Sequence, residues 1–153
     1  LGMGANDMRN DWQPFDLQVE GGPRIEVKSA AYVQSWPQKA YSRIVFGTAP
    51  RRPWNKQDNT IGPKPERQAN LYVFALLAHR TGDLAKDKET IDPMDVDQWE
   101  FYVLPTSKLG VSQKSITLEA LRILTRPVRY IVLSAAVEAA WSESGDGAST
   151  THQ

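Results

Sequence analysis

The chain of 153 residues contains no cysteine. This excludes disulfides, thiolate metal centres and a cysteine nucleophile. Histidine is nearly as scarce, with only His79 and His152. Neither has a second ligand at a metal-binding spacing, so an imidazole metal site and a Ser-His-Asp hydrolase both lack support. No apolar run approaches the roughly 18 residues that a membrane-spanning helix requires. No secretory leader pattern is visible, and a cytoplasmic setting is the expectation. Gly2, Gly4, Gly21 and Gly22 form no phosphate-binding fingerprint, so no nucleotide cofactor is expected. The chain also lacks net charge, with 18 basic and 18 acidic side chains.

The composition is that of an ordinary globular protein, with 41% apolar and 24% charged residues. The length suits one domain, expected over residues 1–141, followed by a Ser/Gly/Thr-rich tail at 142–153. Leu1-Gly2 reads as the end of a helix with its cap, which implies preceding residues that supply an N-terminal helix. Charge is unevenly placed. From Arg24 to Arg67 there are nine basic residues against three acids, and from Asp83 to Glu100 seven acids against two lysines. A positive stretch suits a phosphate backbone. The acidic stretch, with Asp83, Asp87, Asp92, Asp95 and Asp97, lacks the glycine and spacing of a calcium loop and reads as solvated loop.

Residues 14–20 and 24–29 alternate apolar and polar, the pattern of half-buried strands, with a Gly21-Gly22-Pro23 turn between them. A three-residue loop at 21–23 pairs Glu20 with Arg24, Val19 with Ile25, and Leu17 with Val27. Asp16 then lies opposite Lys28 and diagonal to Glu26. Residues 30–36 either prolong the strand or turn into a helix. Further strands are predicted at 43–48, 71–78 and 98–104, with polar loops at 49–69 and 80–97. Thr117 is the expected cap of a helix over 118–124, interrupted by Pro127. Arg129 to Trp141 is the clearest amphipathic helix, with Tyr130, Leu133, Val137 and Trp141 on one face. Trp12, Trp36, Trp99 and Trp141 are expected to pack in the core or at a sheet edge. The fold class is α/β, bordering on α+β, with a central mixed sheet flanked by helices.

Asp16, Glu26 and Lys28 carry the candidate chemistry. Two carboxylates and one ammonium on one face of a hairpin can hold a divalent cation beside a phosphodiester. Oxygen donors suit Mg²⁺ (or Mn²⁺), and the Val27 carbonyl adds a backbone ligand. Lys28 would position or deprotonate the attacking water, or neutralise developing charge. Arg43, Arg51, Arg52, Trp54 and Lys56 offer backbone contacts and stacking to DNA.

Asp16, nine intervening residues and Glu26-Val27-Lys28 resemble the PD-(D/E)xK nuclease superfamily, the restriction-endonuclease-like fold. The stretches WQPFDLQVEGGPRIEVKSAAYVQSW and DQWEFYVLPTSKL look like a group of bacterial proteins within it, and the resemblance covers most of residues 12–133. It implies metal binding by Asp16 and Glu26 and a catalytic Lys28. It also implies a glutamine near the site, either Gln34 or Gln38, with Gln34 preferred because it shares the parity of Glu26 and Lys28 if the strand continues. Phe15 departs from the pattern by replacing its proline. The function implied is a Mg²⁺-dependent DNA endonuclease of restriction or repair type, and because double-strand cutting by one small domain often calls for two copies, a homodimer is an expectation. The alternative is a catalytically inactive nuclease-like module that binds nucleic acid or protein.

Overall fold

The computed structural model describes residues 5–6, 15–52, 54–55 and 57–145. Its content is mixed α/β, as the pattern of elements predicted. Strands β1 (Ala5–Asn6), β2 (Leu17–Val19), β3 (Arg24–Ala31), β7 (Leu71–Leu77) and β8 (Trp99–Pro105) form one sheet in the order β1-β2-β3-β7-β8. Two small two-stranded sheets accompany it. One pairs β4 (Val45–Gly47) with β9 (Ser115–Thr117), the other β5 (Trp54–Asn55) with β6 (Thr60–Ile61).

The main sheet is mixed because β3 and β7 run parallel while its other neighbouring strands are antiparallel. All seven residues of β7 are buried, as a central strand covered on both faces demands. Asn70 fixes the start of the parallel pair. Its Oδ1 accepts from the Arg24 N–H at 2.9 Å, and its own N–H donates to the Arg24 carbonyl at 2.8 Å. A parallel pair needs a long crossover, usually helical. Here residues 32–70 carry β4, β5 and β6 instead, with no helix among the described residues.

Period-two alternation divides the sheet side chains between two cores. Ile25, Leu71, Val73 and Val103 face helix α3 (Tyr130–Glu143), where they meet Val137 and Ala140. Tyr72, Phe74, Leu76, Tyr102 and Leu104 face the other way, against Phe46, Ile116 and Leu121 of helix α2 (Leu118–Leu124). The Phe46 and Phe74 rings pack at 5.0 Å and Tyr72 and Phe74 stack at 5.5 Å. Thr117 caps α2 as predicted, accepting from the Ala120 N–H at 3.2 Å. The predicted helix is present as α3, with Leu133, Val137 and Trp141 on its packed side, but it is not cleanly amphipathic, since Tyr130, expected on that face, is exposed together with Ile131 and Val132.

Several expectations need correction. The acidic segment 80–97 is not simply a loop. It contains helix α1 (Leu84–Thr90), capped by Asp83, whose side chain accepts from the Lys86 N–H, and a 3₁₀ turn at Val96–Gln98. β3 ends at Ala31, so neither a longer strand nor a helix follows over 32–36. Trp36 is 58% exposed rather than packed, and Trp12 lies outside the described residues. The polar segment 49–69 contains the short β5–β6 hairpin and a bridge between Arg51 and Glu66. The N-terminal helix read from Leu1-Gly2 lies outside the described residues, as do residues 146–153 of the expected tail, whereas Ser142 and Glu143, assigned to that tail, belong to α3.

Candidate functional site

The β2–β3 hairpin positions the candidate residues, in a register different from the predicted one. Leu17 pairs with Ile25 and Gln18 with Arg24, a shift of two residues. The turn sets this offset. The Gly22 N–H donates to the Val19 carbonyl at 2.9 Å, and Gly21 sits between them at φ 67°, a left-handed conformation that glycine adopts without strain. The Val19 N–H then donates to the Pro23 carbonyl at 3.1 Å. Glu20 is therefore in the loop and does not face Arg24, and Asp16 does not face Lys28.

Asp16 instead takes over where backbone pairing stops. Its N–H donates to the Ile25 carbonyl at 2.9 Å, and its carboxylate Oδ2 accepts from the Val27 N–H at 2.7 Å. An exposed carboxylate thus stands in for a strand carbonyl, fixed to the residue between Glu26 and Lys28. Val27, predicted to pack opposite Leu17, is 36% exposed because no β2 residue pairs with it.

Glu26 and Lys28 lie on the sheet face of Tyr72 and Phe74, their partners in the parallel register. Lys28 Nζ is 3.1 Å from Glu26 Oε1, and both side chains are half-buried. They open onto a shallow depression of about 20 Å³, room for one water or one cation, bordered by Tyr72, Arg51, Glu66 and Arg67. Tyr72 has its hydroxyl pKa raised, first by burial and then by the negative charge of Glu26, against the opposing pull of Arg67. Asp16 does not line this depression.

Arg67 was not singled out from the sequence, and its role is anchoring. Its guanidinium donates to the carbonyls of Thr48 at 2.9 Å, Gly110 at 2.7 Å and Gln113 at 2.6 Å, joining three loops at the rim. Arg51 exchanges two backbone hydrogen bonds with Glu66, at 3.2 and 2.8 Å, which presents its side chain beside Glu26 and Lys28.

The remaining predicted residues do not gather here. Gln34 is held in a separate network. Its Nε2 donates to the Ala31 carbonyl at 2.9 Å, its N–H donates to Gln38 Oε1 at 2.8 Å, and Lys88 Nζ donates to its carbonyl at 3.1 Å. Gln38 donates to Ser42 Oγ at 3.0 Å in the same network. Because β3 stops at Ala31, strand parity no longer carries either glutamine toward Lys28. Arg43 is exposed, and Arg52 donates to the Gly62 carbonyl at 2.9 Å within its own loop. Trp54 contributes backbone to β5, its side chain lies outside the described residues, and so does all of Lys56.

Asp87 is the clearest departure from a solvated acidic loop: it is fully buried. Its carboxylate accepts from the Tyr41 hydroxyl, the Thr81 N–H at 2.8 Å and Thr81 Oγ1 at 2.7 Å, with His79 Nε2 at 3.9 Å. Burial pushes its pKa up, but the hydrogen bonds from Tyr41 and Thr81 outweigh that and hold it below the usual aspartate value. Tyr41 is raised in turn, chiefly by its hydrogen bond to Asp87. Nearby, Arg80 stacks on Tyr32 at 3.8 Å. These partners come from three separate segments, so the sequence carries no local signal for them.

Asp16 and Glu26 are of the donor type that Mg²⁺ prefers, although only Glu26 of the two lines the depression. Both are oxygen donors, and each carboxylate has lone pairs beyond the single contact described above. No cluster of three or more His, Cys, Asp or Glu side chains able to hold a metal occurs among the described residues. That is compatible with an ion that takes one or two carboxylates and keeps its waters. No helix among the described residues is long and apolar enough to cross a membrane. Searches against protein-family models, curated proteins and solved structures return no match.

Proposed function

We propose that this chain is a Mg²⁺-dependent nuclease of the restriction-endonuclease-like type, acting on DNA through Asp16, Glu26 and Lys28. The observation that carries this reading is the hydrogen bond from the Val27 N–H to the Asp16 carboxylate. It ties Asp16, the residue before β2, to the β3 residue that separates Glu26 from Lys28. Asp16 and Glu26, with the Val27 carbonyl, would hold the ion. When bound, Mg²⁺ activates water and offsets charge on the phosphate and leaving oxygen.

Lys28 places an ammonium beside Glu26, where it neutralises the carboxylate and offers donors to a non-bridging phosphate oxygen. Arg51, at the rim of the same depression, supplies a second cation for the backbone. The fixed hairpin keeps these groups oriented without reorganisation.

A nicking assay on supercoiled plasmid tests this. Cutting with Mg²⁺ or Mn²⁺ and none with EDTA is expected, and Lys28→Ala should lower it by roughly 10²-fold or more with an unchanged circular dichroism spectrum. Undiminished cutting by the folded variant would remove the mechanism. One observation favours a second reading, a nuclease-like module that binds without cutting: Asp16 stands outside the depression that holds Glu26 and Lys28. That reading predicts salt-sensitive DNA binding with no Mg²⁺-dependent cleavage.

A further inference from the structure

A second cavity lies away from these residues. It has a volume of about 540 Å³, within the usual range of roughly 300–1,000 Å³ for small-molecule sites. Its shape follows from the chain. β8 ends at Pro105, and Pro127 stops α2 from running into α3. The segment between the helices is tied back to β8 by paired hydrogen bonds between Phe101 and Val128, at 2.9 and 2.7 Å. Thr125 Oγ1 adds a bond to the Val103 carbonyl at 3.1 Å. The facing side of α3 carries Ala136, Ala139 and Ala140, whose short side chains leave the space between helix and strand unfilled.

The three alanines give the helix wall an apolar stretch, the rest of the lining mixes Val103 and Leu124 with Ser107, Thr125 and Ser144, and one rim is cationic. Lys108 and Arg126 both line the cleft and both are exposed. Neither forms an ion pair or a side-chain hydrogen bond among the described residues. Glu143 lies near the C-terminal end of α3, where the last carbonyls also repel negative charge. The electrostatics are thus polarised, positive at the Lys108–Arg126 rim and negative at the helix end.

We infer that this cleft binds a small organic anion, with its carboxylate, phosphate or sulfonate held by Lys108 and Arg126 and its apolar body lying over Ala136, Ala139 and Ala140. The inference is independent of the nuclease reading, because the cleft shares no residue with the depression at Glu26 and Lys28.

Anilinonaphthalenesulfonate is a suitable probe, with phenylnaphthylamine as its uncharged counterpart. The full chain should bind the sulfonate saturably at one site, with a fluorescence rise, and should bind the uncharged compound more weakly. Lys108→Glu with Arg126→Glu should weaken sulfonate binding by roughly tenfold or more, the loss expected when charge-assisted hydrogen bonds are removed. Ala139→Trp, which fills the cleft from an exposed position, should abolish binding of both compounds while near-ultraviolet circular dichroism stays native. Equal binding of the two compounds, or unchanged sulfonate binding in the charge-reversed variant, overturns the inference. Displacement of the sulfonate by a DNA duplex would also overturn it, assigning the cleft to a nucleic-acid footprint.

Discussion

Asp16 does two separable things in this account, and two substitutions divide them. Its Oδ2 accepts from the Val27 N–H at 2.7 Å, closing the β2–β3 edge where backbone pairing stops. Its charge is also required of a metal ligand. Asp16→Ala removes both roles. The Val27 N–H is exposed, so water replaces part of the lost bond and the cost falls near the lower part of the hydrogen-bond range, about 1 kcal/mol. For a chain of this size that is a fall in Tm of roughly 2–4 °C. Asp16→Asn keeps a side-chain oxygen for the Val27 N–H and should lose less than half as much. Cleavage should respond differently. Both variants lack the anionic ligand, so both should lose Mg²⁺-dependent activity by roughly 10²-fold or more. The assay pairs a thermal melt with plasmid nicking on the same preparations. If Asp16→Asn cuts like the wild type, or if activity falls only in proportion to Tm, Asp16 is a strand-edge cap and not a ligand.

Two further perturbations probe the frame around the site. Gly21→Ala places a Cβ at φ 67° and should cost about 1 kcal/mol, read as a lower urea midpoint; an unchanged midpoint would show that the turn does not set the register. Asp87 is held below its ordinary value of 3.8, so its contribution to stability is complete above that pH and is lost as pH falls through the lower folded value. Asp87→Asn should accordingly be less stable than the wild type at neutral pH, with the gap narrowing in acid, and a gap equal at pH 7 and about pH 3 would contradict this.

Parity was legible where side chains alternate, and register was not. Leu17, Val19 and Ile25 mark the apolar face of the hairpin, and that face packs toward α3, whereas Val27, read on the same face, is 36% exposed. A slip of two residues leaves an alternating pattern intact, so only the turn at Val19–Gly22 could choose between registers. Caps were readable at Thr117, where the helix that follows is apolar on one side. The same kind of cap at Asp83 was masked by the charged Lys86-Asp87-Lys88-Glu89 run, which reads as solvated surface. The burial of Asp87 depends on Tyr41, 46 residues away, and Arg67 on the carbonyls of Gly110 and Gln113, 43 and 46 residues away. Such partners are set by tertiary folding and leave no mark in local spacing. Asp16, Glu26 and Lys28 were legible as residue types at a spacing, but the way Asp16 reaches the others, through the Val27 N–H, was not.

The most direct measurement is a Mg²⁺ titration of the full chain and its Glu26→Gln variant against a mixture of supercoiled, linear duplex and single-stranded DNA. The account predicts cleavage of at least one substrate that rises with Mg²⁺, saturates and vanishes in EDTA, and that Glu26→Gln loses at every Mg²⁺ concentration. DNA that stays intact throughout, or a Glu26→Gln variant that cuts like the wild type, would contradict it.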